Sequence, residues 1–203
     1  MTEKLTSKDR LEIAVQSSLQ FIPYIGSSLS TVYFSTKQEK RFKRIESFYE
    51  EISEQLRNIE STLSAFDYHD EESLVAIIER INDEVERETS IEKRAYLKNY
   101  FINILQSPTT KSNYDERRIL LETLSSITLL EFQVLLSHSE FSEHIKDIFN
   151  EIEPSLRHGA SSRLETLGLL QSFYFSDTYV GQSPVHKNIY ISDFGKKFIN
   201  FCL

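Results

Sequence analysis

One pattern limits what this chain can become more than any other. Phe42, Ile45, Tyr49, Ile52, Leu56, Ile59, Leu63 and Phe66 alternate spacings of three and four residues without a miss, a heptad seam flanked by Lys, Arg, Glu and Gln. No Gly or Pro falls between residues 27 and 66. The spacing therefore predicts a single helix over about 27–66, about 55 Å long at about 1.5 Å per residue. A rod of that length cannot bury its stripe against itself. It needs other helices of the same chain, a second copy, or both, which makes the seam a candidate homodimer interface.

Around the rod the chain reads as further helices. Leu11, Ala14, Val15 and Leu19 share a face over Lys8–Gln20, and Pro23 with Gly26 turns the chain back, giving a hairpin over 8–35. Asp70 is placed to cap a helix carrying Leu74, Ile77, Ile78, Ile81 and Val85, and Ser90 one over Ile91–Gln106. Ser107 to Asn113 reads as a linker, followed by a helix over Tyr114–Ser126. With only 5 Gly and 4 Pro in 203 residues, chain breaks are too few for a turn-rich β architecture.

At Thr128 the pattern changes. Thr128 and Glu131 form a capping box ahead of an apolar run, and helices are expected over about 142–152, stopped by Pro154, and over about 155–167 with Gly168 beyond its end. Leu169–Phe175 and Lys187–Ile191 are β-prone runs joined by a loop, and Ser192 caps a last helix over Asp193–Cys202. Three helices, a two-stranded wing and a closing helix follow the order of a winged helix-turn-helix. The expected fold is mainly α: an N-terminal helical bundle over 1–126, then a winged-helix-like domain over 127–203.

Leu164 to Leu170 and Ile189 to Phe198 resemble winged-helix domains, in which a leucine-glycine-leucine turn ends the recognition helix and a threonine-x-x-glycine start follows the second wing strand; Ser192 stands for the threonine here. Ile22-Pro23-Tyr24-Ile25-Gly26, the basic long helix and Glu92-Lys93-Arg94, together with that C-terminal layout, are similar to the bacterial abortive-infection alpha family of phage-defence proteins. The resemblance implies a cytoplasmic bacterial or prophage protein acting in the phage conflict, and it brings no catalytic residues.

Four kinds of site can be weighed from the residues. Arg157, Ser161, Ser162 and Arg163 on the expected recognition helix, flanked by Lys187, Lys196 and Lys197, could meet DNA. A net charge of −8 and Glu165 among so few cations disfavour that, because phosphate neutralisation supplies much of the affinity for duplex. The stretch from Ile13 to Thr36 carries no charge and is followed by Lys37, Lys40, Arg41, Lys43 and Arg44, which could lie on anionic headgroups. Its many Ser and Thr make it too polar for a stable span, so membrane contact is at most conditional.

His138, Glu140, Glu143, His144 and Asp147 crowd one segment, but at no spacing that marks a zinc or calcium site. No nucleophile elbow, phosphate loop or dinucleotide fingerprint occurs. Cys202 stands alone, without a disulfide partner or an evident activating base, which suits a reducing cytoplasm. Met1 to Thr6 lacks the basic and apolar regions of a signal peptide.

The expectation is a non-enzymatic interaction or regulatory protein with no cofactor and no metal, acting through homodimerisation and a protein partner. A DNA-binding regulator is the alternative, and a membrane-damaging effector using the 13–36 hairpin a second.

Overall fold

Short polar side chains set where most helices of this protein begin. In the computed structural model, which describes residues 32–57, 68–139, 152–176 and 185–203, α1 (Val32–Arg57) is followed by α2 (Glu71–Arg87) and α3 (Ile91–Gln106). Asp70 accepts the Ser73 amide at 3.1 Å and Ser90 the Lys93 amide at 3.2 Å, each satisfying an amide that has no partner in the first helical turn. The helices α4 (Tyr114–Ser126) and α5 (Leu129–Ser137) come next, and α5 opens with the Thr128–Glu131 capping box. Then come α6 (Pro154–Thr166), β1 (Leu170–Ser176), β2 (Val185–Ile191) and α7 (Asp193–Cys202). The fold is mainly α with one two-stranded antiparallel sheet, as expected.

Two expectations need correcting or bounding. α6 starts one residue earlier than expected: Pro154 occupies its first turn, where its missing N–H is no loss, and Glu153 caps the helix by accepting from the Ser155 and Leu156 amides. The long rod is helical over Val32–Arg57; its remainder, the Pro23–Gly26 hairpin and the helix expected over 142–152 lie outside the described residues.

The chain divides into two compact units, Met1–Ser125 with Cys202, and Ser126–Phe201 with Leu203. In the first, α1 packs on α2 and α3, and α2 on α3. Ile45, Phe48, Tyr49 and Ile52 of α1 are buried with Leu74, Ile77, Ile78, Ile81 and Val85 of α2 and Leu97, Phe101 and Ile104 of α3. Burial stabilises each of these large side chains by about 1.5–3 kcal/mol. Phe48, Tyr49 and Phe101 meet edge to face, with centroids 5.6, 5.9 and 5.8 Å apart, the geometry that sets positive ring edges on negative faces. The Tyr49 hydroxyl donates to Asn82 Oδ1 at 2.7 Å, which meets the hydrogen-bonding need of a buried phenol.

In the second unit α5 packs on α6, and α6 on β1. Phe132 and Phe198 meet at a tilt, ring centroids 5.7 Å apart, in a core shared with Leu164, Leu169 and Leu170. The register pairs Leu170 with Ile191, Gln171 with Tyr190, Phe173 with Asn188 and Tyr174 with Lys187. The hairpin is clasped at its base. Gly168 turns the chain out of α6 at φ +74°, a conformation open to glycine at little cost. Ser192 donates its amide to the Leu169 carbonyl at 3.0 Å and accepts the Gly195 amide on Oγ at 2.8 Å. A Cβ on Gly195 would sit 2.2 Å from the Leu169 carbonyl oxygen, so only glycine lets α7 come this close.

Candidate functional site

The heptad seam is largely internal where it is described. Ile45, Tyr49 and Ile52 are buried by α2 and α3 of their own chain, so these three cannot form the surface of a homodimer. Phe48, which the seam omits, is buried beside them: two partner helices cover a wider stripe than a single coiled-coil contact does. Its spacing of three from Ile45 and its place beside Tyr49 were the available signal. The Phe42 and Leu56 side chains, and Ile59, Leu63 and Phe66 altogether, lie outside what is described.

The basic cluster on α1 is also divided. Lys40, Arg41 and Lys43 are exposed, while Arg44 is half-buried and donates from Nε to the Glu86 carbonyl at 3.0 Å, with Nη2 on the same oxygen. Arg44 thereby satisfies a carbonyl in the last turn of α2, where the helix dipole favours a cation. It is withdrawn from any membrane-facing set. The Lys37 side chain and residues 13–31 lie outside the described residues, and among those described no single helix is long and apolar enough to cross a membrane.

The cations proposed for DNA are in several cases bound within the second unit. Arg163 donates Nη1 to both carboxylate oxygens of Glu131 at 2.9 Å and Nη2 to the Ser126 carbonyl at 2.8 Å. Glu131 keeps only 6% of its side chain exposed, so this pair holds α6 to the capped start of α5. Lys187 donates to Glu165 at 2.7 Å, and Ser172 donates to the other oxygen of the same carboxylate. Lys196 lies 3.5 Å from Asp193 on the surface. Ser161 is buried, Arg157 half-buried, and Ser162 and Lys197 exposed. Of the five cations in this set, Arg163, Lys187 and Lys196 each have a carboxylate partner.

What the hairpin does present is aromatic. Strand alternation sends Gln171 and Phe173, with their partners Tyr190 and Asn188, to one side of the sheet, and Ser172, Tyr174 and Lys187 to the other, where Glu165 meets Ser172 and Lys187. Phe173 and Tyr190 make an edge-type contact at 5.9 Å while remaining 50% and 46% exposed. None of Gln171, Phe173, Asn188 and Tyr190 carries a charge. Sequence reasoning saw the β-prone run but not this face, because a period of two marks the sides of a strand without telling which one is covered.

The titratable groups follow burial. Desolvation holds the His69 and His138 imidazoles below their ordinary value, favouring the neutral form. Burial pushes the Cys202 thiol far up, away from the thiolate that nucleophilic chemistry needs. Among the described residues no three His, Cys, Asp or Glu side chains are grouped to hold a metal ion; Glu140, Glu143, His144 and Asp147 lie outside them. Compared with protein families, characterised proteins and solved structures, the chain has no match.

Proposed function

We propose that this chain is a non-enzymatic interaction protein of bacterial phage defence or prophage biology, and that its second unit is a winged-helix-like module used for assembly in place of DNA reading. The observation that carries this reading is a contrast on that unit. Arg163 and Lys187 are held by Glu131 and Glu165, whereas the outward face of the hairpin offers Phe173 and Tyr190 to solvent, flanked among the described residues by the uncharged Gln171 and Asn188. A duplex would need several cations facing its phosphates. An exposed aromatic pair instead suits a protein contact, where Tyr and Phe supply area at small entropic cost.

The occupant we assign is a second copy of the chain. At a net charge of −8 two copies carry charge of the same sign, and Phe173 with Tyr190 offers a place where they can approach without desolvating or opposing like charges. The phage-defence setting rests on the sequence resemblance alone.

Light scattering over a concentration series tests the contact. The wild type should pass from monomer to dimer as concentration rises, and Phe173→Glu should remain a monomer with an unchanged helical spectrum. A wild type that stays monomeric throughout defeats the assembly reading. Salt-sensitive retardation of duplex DNA that is lost in Lys196→Glu and Lys197→Glu would instead establish the DNA-binding alternative.

A further inference from the structure

Outside the hairpin, one half-buried cluster links three elements through a single imidazole. His69 stands immediately before the Asp70 cap of α2. Its Nδ1 accepts the Thr109 amide at 3.0 Å, and its Nε2 lies 3.3 Å from the Leu105 carbonyl in the last turn of α3. Next to it the Asp70 amide donates to the Thr109 carbonyl at 2.7 Å. Thr109 is thus gripped on both its backbone groups and is fully buried. Because Nδ1 must accept, the proton belongs on Nε2, where it can be donated to Leu105; the network assigns the tautomer.

We propose that His69 is an acid-sensitive latch that fastens the start of α2 and the end of α3 to the 107–113 connection. Only the neutral Nε2–H imidazole closes it. A second proton would occupy Nδ1 and face the Thr109 N–H, setting donor against donor in a desolvated place, and the contact must open. Among the described residues, the charged groups acting on the ring and its immediate surroundings can be named. Arg117 of α4 disfavours a second cation, with Glu116 acting on Arg117 in turn. Asp70 in the ring's own turn is ionised, its carboxylate held by Ser73 and drawn to Lys111 of the connection. From α3 the ring meets the Leu105 carbonyl. Burial outweighs the Leu105 contact, which alone would favour the imidazolium.

The sign follows from the shift. The folded imidazole protonates less readily than the unfolded one, so the latch contributes its full stability above the ordinary value of 6.5 and loses it as pH falls from there through the folded value. The 107–113 connection then loosens under mild acid while the caps at Asp70 and Ser90 persist. This inference is independent of how the hairpin is used.

Amide hydrogen exchange read by NMR from about pH 7.5 to about pH 5 tests it, alongside the nitrogen shifts of the imidazole itself. In the wild type the Thr109 and Asp70 protection factors, corrected for the intrinsic pH dependence of exchange, should fall about tenfold or more as His69 titrates. In His69→Asn, whose Oδ1 can accept from Thr109 without titrating, they should stay level. If that variant does not fold, the wild-type imidazole decides: an Nε2–H tautomer at neutral pH with a midpoint below 6.5 supports the latch. An Nδ1–H tautomer, a midpoint at or above the ordinary value, or Thr109 protection indifferent to the titration overturns it.

Discussion

Two aromatic clusters in this protein share a geometry and differ in everything around it. Phe48, Tyr49 and Phe101 meet edge to face at 5.6 to 5.9 Å deep in the first unit, and Phe173 meets Tyr190 at 5.9 Å on the surface of the second. The difference lies in what covers them. A helix stripe flanked by two further helices is enclosed, whereas a two-stranded sheet packed against a helix has one side left over. Ring geometry alone therefore says nothing of role; the first trio is enclosed in the core, and the second pair stays half-exposed on the sheet.

The sharpest way to break the comparison is to delete a ring from each cluster. Phe101→Ala should cost about 3–5 kcal/mol in chemical denaturation, through lost burial and the cavity left behind. Gly195→Ala should follow at about 1–3 kcal/mol, because α7 must retreat from the Leu169 carbonyl and the base of the hairpin shifts with it. Arg163→Ala should cost about 2 kcal/mol by leaving the buried Glu131 carboxylate short of donors, measured by the same denaturation curve. Phe173→Ala should lie within about 0.5 kcal/mol of wild type while weakening self-association, and a large loss of stability there would erase the distinction between the clusters.

How much of this could be read from the chain depends on distance along it. Asp70, Ser90, Thr128 and Ser192 cap the helices they were expected to cap, and Gly168 ends α6, because each of those signals acts within four residues. The fold class follows from such local steps. The candidate surfaces did not, since they turn on contacts between remote segments. Nothing near Arg163 announces that its guanidinium will reach Glu131, 32 residues earlier, and nothing in the heptad distinguishes a seam facing a second copy from one facing α2 and α3. Likewise the unremarkable pair His69 and Thr109 become partners only when the end of α3 folds back beside the start of α2.

The Arg44 contact has a practical consequence for anyone probing the basic cluster at lipid surfaces. Reversing the whole group would also place a carboxylate against the Glu86 carbonyl, where the end of α2 calls for a cation, so a silenced effect could reflect a loosened bundle and not a lost attraction. Reversal confined to Lys40, Arg41 and Lys43, with Arg44 left intact, changes the outward charge while sparing the joint that holds α1 to α2.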